Sequence, residues 1–457
     1  MYRDALKKLR AWHQNTTRKP MLIRGVRHVG KTWLMTEFGK EKFDRVAYVD
    51  FSRDTSLREI FAEQSQYLLR DLLLAVQLHV GFKLYPQRTL LVFDEIQETP
   101  GGLAALERFQ TEAPEYHILA AESLVAHVYP IGKGFPSHAV DTMFLRPMNY
   151  SEFLRSVGRS DLAEFLALRD WKMLAHFHEV FNSQLFLYCL IGGMPDVVLN
   201  FVKKSNFRLV RDRQNAILQD YEDGFTRHAR GGLQRRLKLI WDSLPRQLDC
   251  NTHKFRYNAV APGLGARELT PPMEWLVETG LVRQIPRVTV PELPLEGHRD
   301  GAFKGYLLDV GLLTAKLGLS MESFLETTRL FDRFHGTLAE QIVQQELAAS
   351  LGEKPHYWSA PRGNAEADFL LQSSGMVIPV DVTGIANPRA KKLTYYCEKF
   401  HPPVAVRISL GKYQCRRLPM PGRPDTEYTL IDLPLYAVSQ LASEIRDAMQ
   451  ENNFSDG

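Results

Sequence analysis

The chain has 457 residues, of which 44% are hydrophobic and 24% charged, with a formal net charge of +4. That length exceeds one hydrophobic core, so roughly two to four domains are expected, and the composition is that of an ordinary globular protein. The small basic excess permits nucleic-acid contact without arguing for it. No stretch reaches about 18 uncharged apolar residues, so no membrane span is expected. The N-terminus MYRDALKKLRAWHQ lacks the apolar region of a signal peptide and reads as a short amphipathic helix. Cys189, Cys250, Cys397 and Cys415 are scattered, with no C-x-x-C pair. Neither a disulfide framework nor a zinc site is expected, and a reducing cytoplasm fits.

Residues 20–147 alternate strand and helix patterns. The strand candidates are 21–25, 46–51, 89–94, 116–121 and 141–146; the helix candidates are 31–40, 57–79 and 102–112. Such alternation predicts a parallel sheet with helices on both faces, and a ligand site at the C-terminal strand ends. Two motifs fall there. Gly25-x4-Gly30-Lys31-Thr32 matches the P-loop pattern, between a strand and a helix as the motif requires. Its backbone N–H groups over Gly25, Val26, Arg27, His28, Val29, Gly30, Lys31, Thr32 and Trp33 are expected to wrap phosphates, helped by the helix N-terminus. Lys31 would reach the β- and γ-phosphates of ATP and Thr32 would hold Mg²⁺. The second motif is TLLVFDE, residues 89–95, a buried-strand run ending in two acids. Asp94 is the expected second Mg²⁺ residue, and Glu95 the group that polarises the attacking water.

Residues 150–228 are mainly helical in pattern, broken at Gly192-Gly193-Met194-Pro195. In 233–248, Leu233, Leu237, Ile240, Trp241, Leu244 and Leu248 share a helical face. A short Phe255/Tyr257 strand, a helix near Met273–Thr279 and strands at Leu281–Ile285 and Phe303–Leu308 follow, a winged-helix order. A helix at 334–349 precedes strands at Tyr357–Ser359, Ala367–Leu371, Val377–Val382 and Val404–Ser409, with a helix at Ala390–Phe400. The tail ENNFSDG is expected to fray.

Several stretches resemble a bacterial and archaeal family of AAA-like P-loop ATPases whose C-terminal domain of unknown function joins a winged helix to an endonuclease-like fold. They are GVRHVGKTW, LLVFDEIQETPGGLAALERF, EYHILAAESL, LRPMNYSEFL, IGGMPDVV, IWDSLPRQL, EWLVETGLV, YLLDVGLL, NAEADF and IPVDV, in family order from about residue 20 to residue 437. The resemblance implies an α/β chain: a P-loop NTPase parallel sheet with helical lid, followed by a winged helix and an endonuclease-like α/β domain. The expected divisions are 1–148 for the ATPase core, 149–230 for the lid, 231–318 for the winged helix and 330–440 for an inactive endonuclease-like domain.

The sequence departs from that family at four places. The strand after the TLLVFDE motif ends Ala120-Ala121-Glu122-Ser123 where the family has Gly-Ser. Ser123 can still supply the hydroxyl that senses the γ-phosphate, but Glu122 adds a carboxylate that repels phosphate unless it points away. A family Gly-Lys is replaced by Ser137-His138, and the best remaining arginine-finger candidate is Arg146. The helix that would read DNA holds Thr270-Pro271-Pro272, which predicts a late start with Thr270 as N-cap and Pro271 at the first helical position. Arg256 and Arg267 could still touch phosphates. In the endonuclease-like module Glu340, Asp368 and Asp381 fill the acidic positions, but Thr383 stands in place of the family lysine, with Lys391 or Lys392 as substitutes and Glu366 nearby. The function expected is a cytoplasmic Mg²⁺-dependent ATPase that couples ATP to a C-terminal module, with duplex DNA or a protein as partner. A nucleotide-gated switch that does not hydrolyse is the alternative, and a DNA-cleaving effector a third.

Overall fold

The computed structural model of the chain describes residues 1–124, 138–229, 231–249, 254–319, 328–350, 354–361, 365–384 and 391–455. Ser137, Cys250 and the Lys391 side chain, all named above, lie outside what is described. The chain forms two compact units. One comprises Met1–Pro147, Ile217–Leu237 and Pro271–Leu281; the other comprises Met148–Ala216, Lys238–Thr270 and Val282–Gly457.

The first unit is built on five parallel strands: β1 (Met21–Gly25), β2 (Arg45–Asp50), β3 (Thr89–Asp94), β4 (His117–Ser123) and β5 (Asp141–Phe144), in the order β2-β3-β4-β1-β5. Strands β1, β3 and β4 are buried along their whole length, as expected of inner strands covered on both faces. Phe51, Phe61, Phe93 and Phe109 pack in the core on one side of the sheet, with Phe51 and Phe61 ring centroids 5.0 Å apart. The single helix expected over 57–79 is two, Thr55–Ala62 and Leu69–Val80, separated by a 3-10 turn at Gln64–Gln66. Asp54 caps the first by accepting the Leu57 N–H at 2.9 Å, and Asp71 caps the second by accepting the Leu68 N–H at 3.2 Å. The N-terminal helix, Ala5–Gln14, buries Leu9 and Trp12.

The second unit holds an eight-stranded mixed sheet. Its strands are β6 (Val282–Val288), β7 (Arg299–Leu307), β8 (His356–Ser359), β9 (Glu366–Ser373), β10 (Met376–Val382), β11 (Val404–Ser409), β12 (Gln414–Met420) and β13 (Arg423–Pro434), in the order β12-β13-β11-β10-β9-β8-β6-β7. The hairpin expected as a wing is therefore one edge of this eight-stranded sheet, joined through parallel pairing of β6 with β8. The helix break at Gly192-Gly193 is seen: one helix ends at Ile191 and the next begins at Pro195. A Cβ at Gly193 would run into the Met148 carbonyl, so the close approach needs glycine.

Two expectations here are corrected. The helix carrying Pro271 and Pro272 spans Ala266–Glu278, starting a turn before Thr270. The Glu268 carboxylate accepts the Gly265 N–H at 3.1 Å, which satisfies the first turn and starts the helix early. Tyr257 lies in a 3-10 turn, Tyr257–Ala259, and the strand expected at Phe255/Tyr257 reduces to an isolated bridge between Lys254 and Lys304. Of the tail, residues 451–455 continue the helix Leu441–Ser455, and residues 456–457 lie outside what is described.

Candidate nucleotide site

The site is built at the C-terminal ends of β1, β3 and β4. The chain leaves β1 at Gly25, where a Cβ would come 2.5 Å from the Leu145 carbonyl oxygen, so no larger residue fits. His28 and Gly30 then adopt left-handed conformations (φ 67° and 89°), which curl the loop before the helix Lys31–Lys42 begins. Val26 and Val29 are buried, and Arg27, His28 and Trp33 half-buried. The loop is pinned from outside: the Tyr221 hydroxyl donates to the Arg27 carbonyl at 2.9 Å, His28 pairs with Asp220 at 2.9 Å, and the Arg3 guanidinium donates to the Val29 carbonyl at 2.9 Å.

Lys31 is buried, and its ammonium donates to the carbonyls of Gly25 at 3.1 Å and Val26 at 3.0 Å and to Ser123 Oγ at 2.9 Å. Burial lowers its pKa, opposed by the nearby Glu95 and Asp94 carboxylates. Thr32 Oγ1 donates to Asp94 Oδ2 at 2.5 Å, and the Tyr48 hydroxyl donates to the same oxygen at 2.9 Å. Burial raises the Asp94 pKa, and the Thr32 bond opposes it. This threonine–carboxylate pair, next to a buried ammonium, fits a hard divalent cation that keeps several waters and takes its other ligands from phosphate. Glu95 stands beyond the end of β3 in a left-handed conformation (φ 51°). One of its oxygens accepts from Ser123 Oγ at 2.7 Å and the other from Gln97 Nε2 at 2.5 Å. Gln97 also accepts the Ser123 N–H at 3.2 Å. Lys31, Ser123, Glu95 and Gln97 thus form one connected polar chain, with Thr32 and Asp94 beside it.

The structure brings together all the predicted chemistry-bearing residues from 25 to 33 with Asp94, Glu95 and Ser123. Sequence reading did not find Tyr48, Gln97, Asp220 and Tyr221. Only Gln97, three residues beyond Asp94, carried a local signal. The feared repulsion from Glu122 is corrected: Arg24 donates to its carboxylate at 2.7 Å, and both side chains are buried. The reason is register, because Arg24 on β1 lies opposite Glu122 on β4. Arg146 is half-buried, and burial lowers its pKa to about 10. His138 lies at the surface, 2.9 Å from Glu107.

In the second unit, Glu340, Glu366, Asp368 and Asp381 are buried together. Their cation is corrected: among the described side chains, it comes neither from position 383 nor from Lys392. Lys304 on β7 supplies it, lying 3.0 Å from Glu340, 2.6 Å from Glu366 and 3.0 Å from Asp368. Lys392 is exposed; burial disfavours its charge, but the four carboxylates outweigh that and raise its pKa. Nothing in a lysine on an alternating strand, 36 residues before Glu340, marks it in the sequence as a partner of these acids.

Residues 17–154 match an AAA domain, residues 182–323 a domain of unknown function (DUF8612) and residues 335–420 a domain of unknown function (DUF4143). No curated protein is significantly similar to the chain. Among solved structures, the Thermotoga maritima RuvB Holliday junction branch migration motor is 15% identical, with 63% of this chain and 90% of that one covered at a TM-score of 0.28. Drosophila ORC bound to DNA is 14% identical, covering 70% and 95% at 0.25. Cdc6p from Pyrobaculum aerophilum is 14% identical, covering 74% and 94% at 0.23. At such TM-scores these likenesses carry no weight for function.

Proposed function

We propose, from the AAA domain this chain carries, that it binds ATP with Mg²⁺ in the cytoplasm, hydrolyses it, and uses the nucleotide state to govern a C-terminal DNA- or protein-binding module. What supports this most is the juxtaposition of the Thr32–Asp94 pair with the Lys31–Ser123–Glu95 chain, 2.5 to 2.9 Å at each link. The backbone of Gly25–Trp33 cradles the phosphates. Lys31 exchanges the Gly25 and Val26 carbonyls for phosphate oxygens. Thr32 and Asp94 hold Mg²⁺, which when bound offsets phosphate charge. Glu95 orients the attacking water, and Ser123, bonded to both Lys31 and Glu95, reports the γ-phosphate to each. The four-part division at 148/149, 230/231 and 318/330 goes with this reading, as core, lid, winged helix and endonuclease-like domain, the last two sharing one sheet through β6 and β7.

A nucleotide-gated switch with little turnover is the second reading. It is favoured by one observation: both Glu95 oxygens already accept a hydrogen bond, from Ser123 and Gln97, which lowers their basicity toward a water. Phosphate release decides. The parent should turn over Mg-ATP, and Glu95→Gln should keep ATP affinity while losing hydrolysis. Asp94→Asn should instead weaken the Mg²⁺-dependent part of binding. Tight ATP binding by a parent that releases no phosphate would leave the switch standing.

A further inference from the structure

The endonuclease-like resemblance calls for a divalent ion among Glu340, Asp368 and Asp381. The described side chains do not fit one. Lys304 is fully buried, and its ammonium donates to Glu340 Oε2 at 3.0 Å and Asp368 Oδ1 at 3.0 Å, with Glu366 Oε1 at 2.6 Å. Two of its N–H donors are thus taken by Glu340 and Asp368, and Glu366 pairs with the ammonium by charge without a hydrogen bond. Further contacts fix Glu340 and Asp368 around that ammonium, while Asp381 Oδ2 is buried without a hydrogen-bond partner. The Tyr306 hydroxyl donates to the same Glu340 oxygen at 2.5 Å, Asp368 turns its other oxygen to the Val382 N–H at 2.8 Å, and the Tyr357 ring lies 5.2 Å from Nζ. A divalent ion needs these oxygens at about 2.0–2.6 Å, where the ammonium already at hydrogen-bond distance from the same carboxylates would repel it. Among the described residues, no group of three or more His, Cys, Asp or Glu side chains is arranged to hold a metal.

We infer that Lys304 is the resident cation of this acidic cage, standing where the endonuclease-like fold would take a divalent metal and closing the module to metal binding. This inference goes beyond the ATPase reading and does not depend on it. It also differs from a missing lysine at Thr383. Restoring a lysine there would leave the metal position filled, so Thr383→Lys alone should not create Mg²⁺-dependent DNA cleavage. The lysine comes from the β6–β7 hairpin, so the same contact that excludes metal fastens that hairpin to β9 and to the helix Thr328–Ser350.

The test uses the full chain, free of nucleotide, with Asp94→Asn present throughout to silence the other cation site. Mn²⁺ alone is titrated, and free Mn²⁺ is read by electron paramagnetic resonance. The protein with Lys304 in place should show no Mn²⁺ binding that depends on Asp368. Lys304→Ala should gain about one Mn²⁺ per chain, and adding Asp368→Asn should weaken that site at least about tenfold. If Lys304→Ala does not fold alone, recovery of its circular dichroism on adding Mn²⁺ supports the inference equally. Mn²⁺ binding with Lys304 present that is lost on Asp368→Asn would overturn it. So would a folded Lys304→Ala that gains no site. If Lys304→Ala folds under neither condition, the Asp368 comparison with Lys304 in place decides by itself.

Discussion

Arg24 and Glu122 face each other on neighbouring strands, where neither charge could remain alone. Removing one partner of a buried ion pair typically costs about 3–5 kcal/mol, whereas replacing both by apolar residues is often near neutral. Arg24→Met should therefore lower the urea midpoint strongly, and Arg24→Met with Glu122→Met should recover most of the loss. A single variant as stable as the parent would show that the pair is not needed. Glu346 makes a second prediction. It is fully buried, one oxygen accepting the Tyr150 N–H at 2.6 Å, and burial raises its pKa to about 8. The folded state keeps this proton while the unfolded chain loses it near the ordinary value of 4.5. Stability from this group is thus complete below pH 4.5 and falls as pH rises toward 8, by up to about 1.4 kcal/mol per unit. Glu346→Gln should flatten that part of a pH series of denaturation curves; an unchanged slope would exclude Glu346 as its source. Residues such as these were hidden in the sequence for a common reason. Arg24 meets Glu122, and Lys304 meets Asp368, only through strand register and packing. By contrast, Gly25, Gly30, Lys31, Thr32, Asp94 and Glu95 were legible because their chemistry is written in contiguous runs.

Among the elements, the inner parallel strands were the most legible, since burial on both faces makes them continuous apolar runs. Strand β12 was not: most of Gln414–Met420 is exposed, so it carries no alternating signal, and pairing with β13 holds it. The helix Ala266–Glu278 was misplaced because a local rule about proline lost to a bond formed one turn earlier, between Gly265 and Glu268. Pro271 and Pro272 cannot donate to the carbonyls of Arg267 and Glu268. Pro271→Ala should therefore stabilise the helix by roughly 1–3 kcal/mol, less what proline gains by restricting the unfolded chain. A lower melting temperature for that variant would mean that the proline ring packs usefully. Arg256 and Arg267 are both exposed near this helix. If they touch duplex DNA, affinity should fall with salt at a log–log slope of about −0.9 per phosphate neutralised, and replacing both should make the slope shallower. Binding indifferent to salt would favour a protein partner.

For the whole molecule, two compact units imply two unfolding steps, and only the one that holds the P-loop should respond to nucleotide. At about 100 times its dissociation constant, Mg-ATP adds roughly 2.7 kcal/mol to the unit that binds it. One transition should rise, the other should stay, and Lys31→Ala should abolish the rise. A melting curve indifferent to millimolar Mg-ATP would count against the whole nucleotide reading. That this unit draws on distant parts of the chain was not legible, since no motif marks the return.

The first unit takes its members from three separate stretches, the last being Pro271–Leu281. Tyr221 bonds to the P-loop, the Phe225 ring meets Trp275, and a Cβ at Gly280 would touch Val26 and Leu124. On a ribosome this sets a delay. After residue 147 emerges, the stretch to residue 281 takes on the order of ten seconds to synthesise. Through that interval the parallel sheet waits without the helices that finish it. A nascent chain stopped at 148 should accordingly be held by chaperones or digested by protease, whereas one released past 281 should resist both.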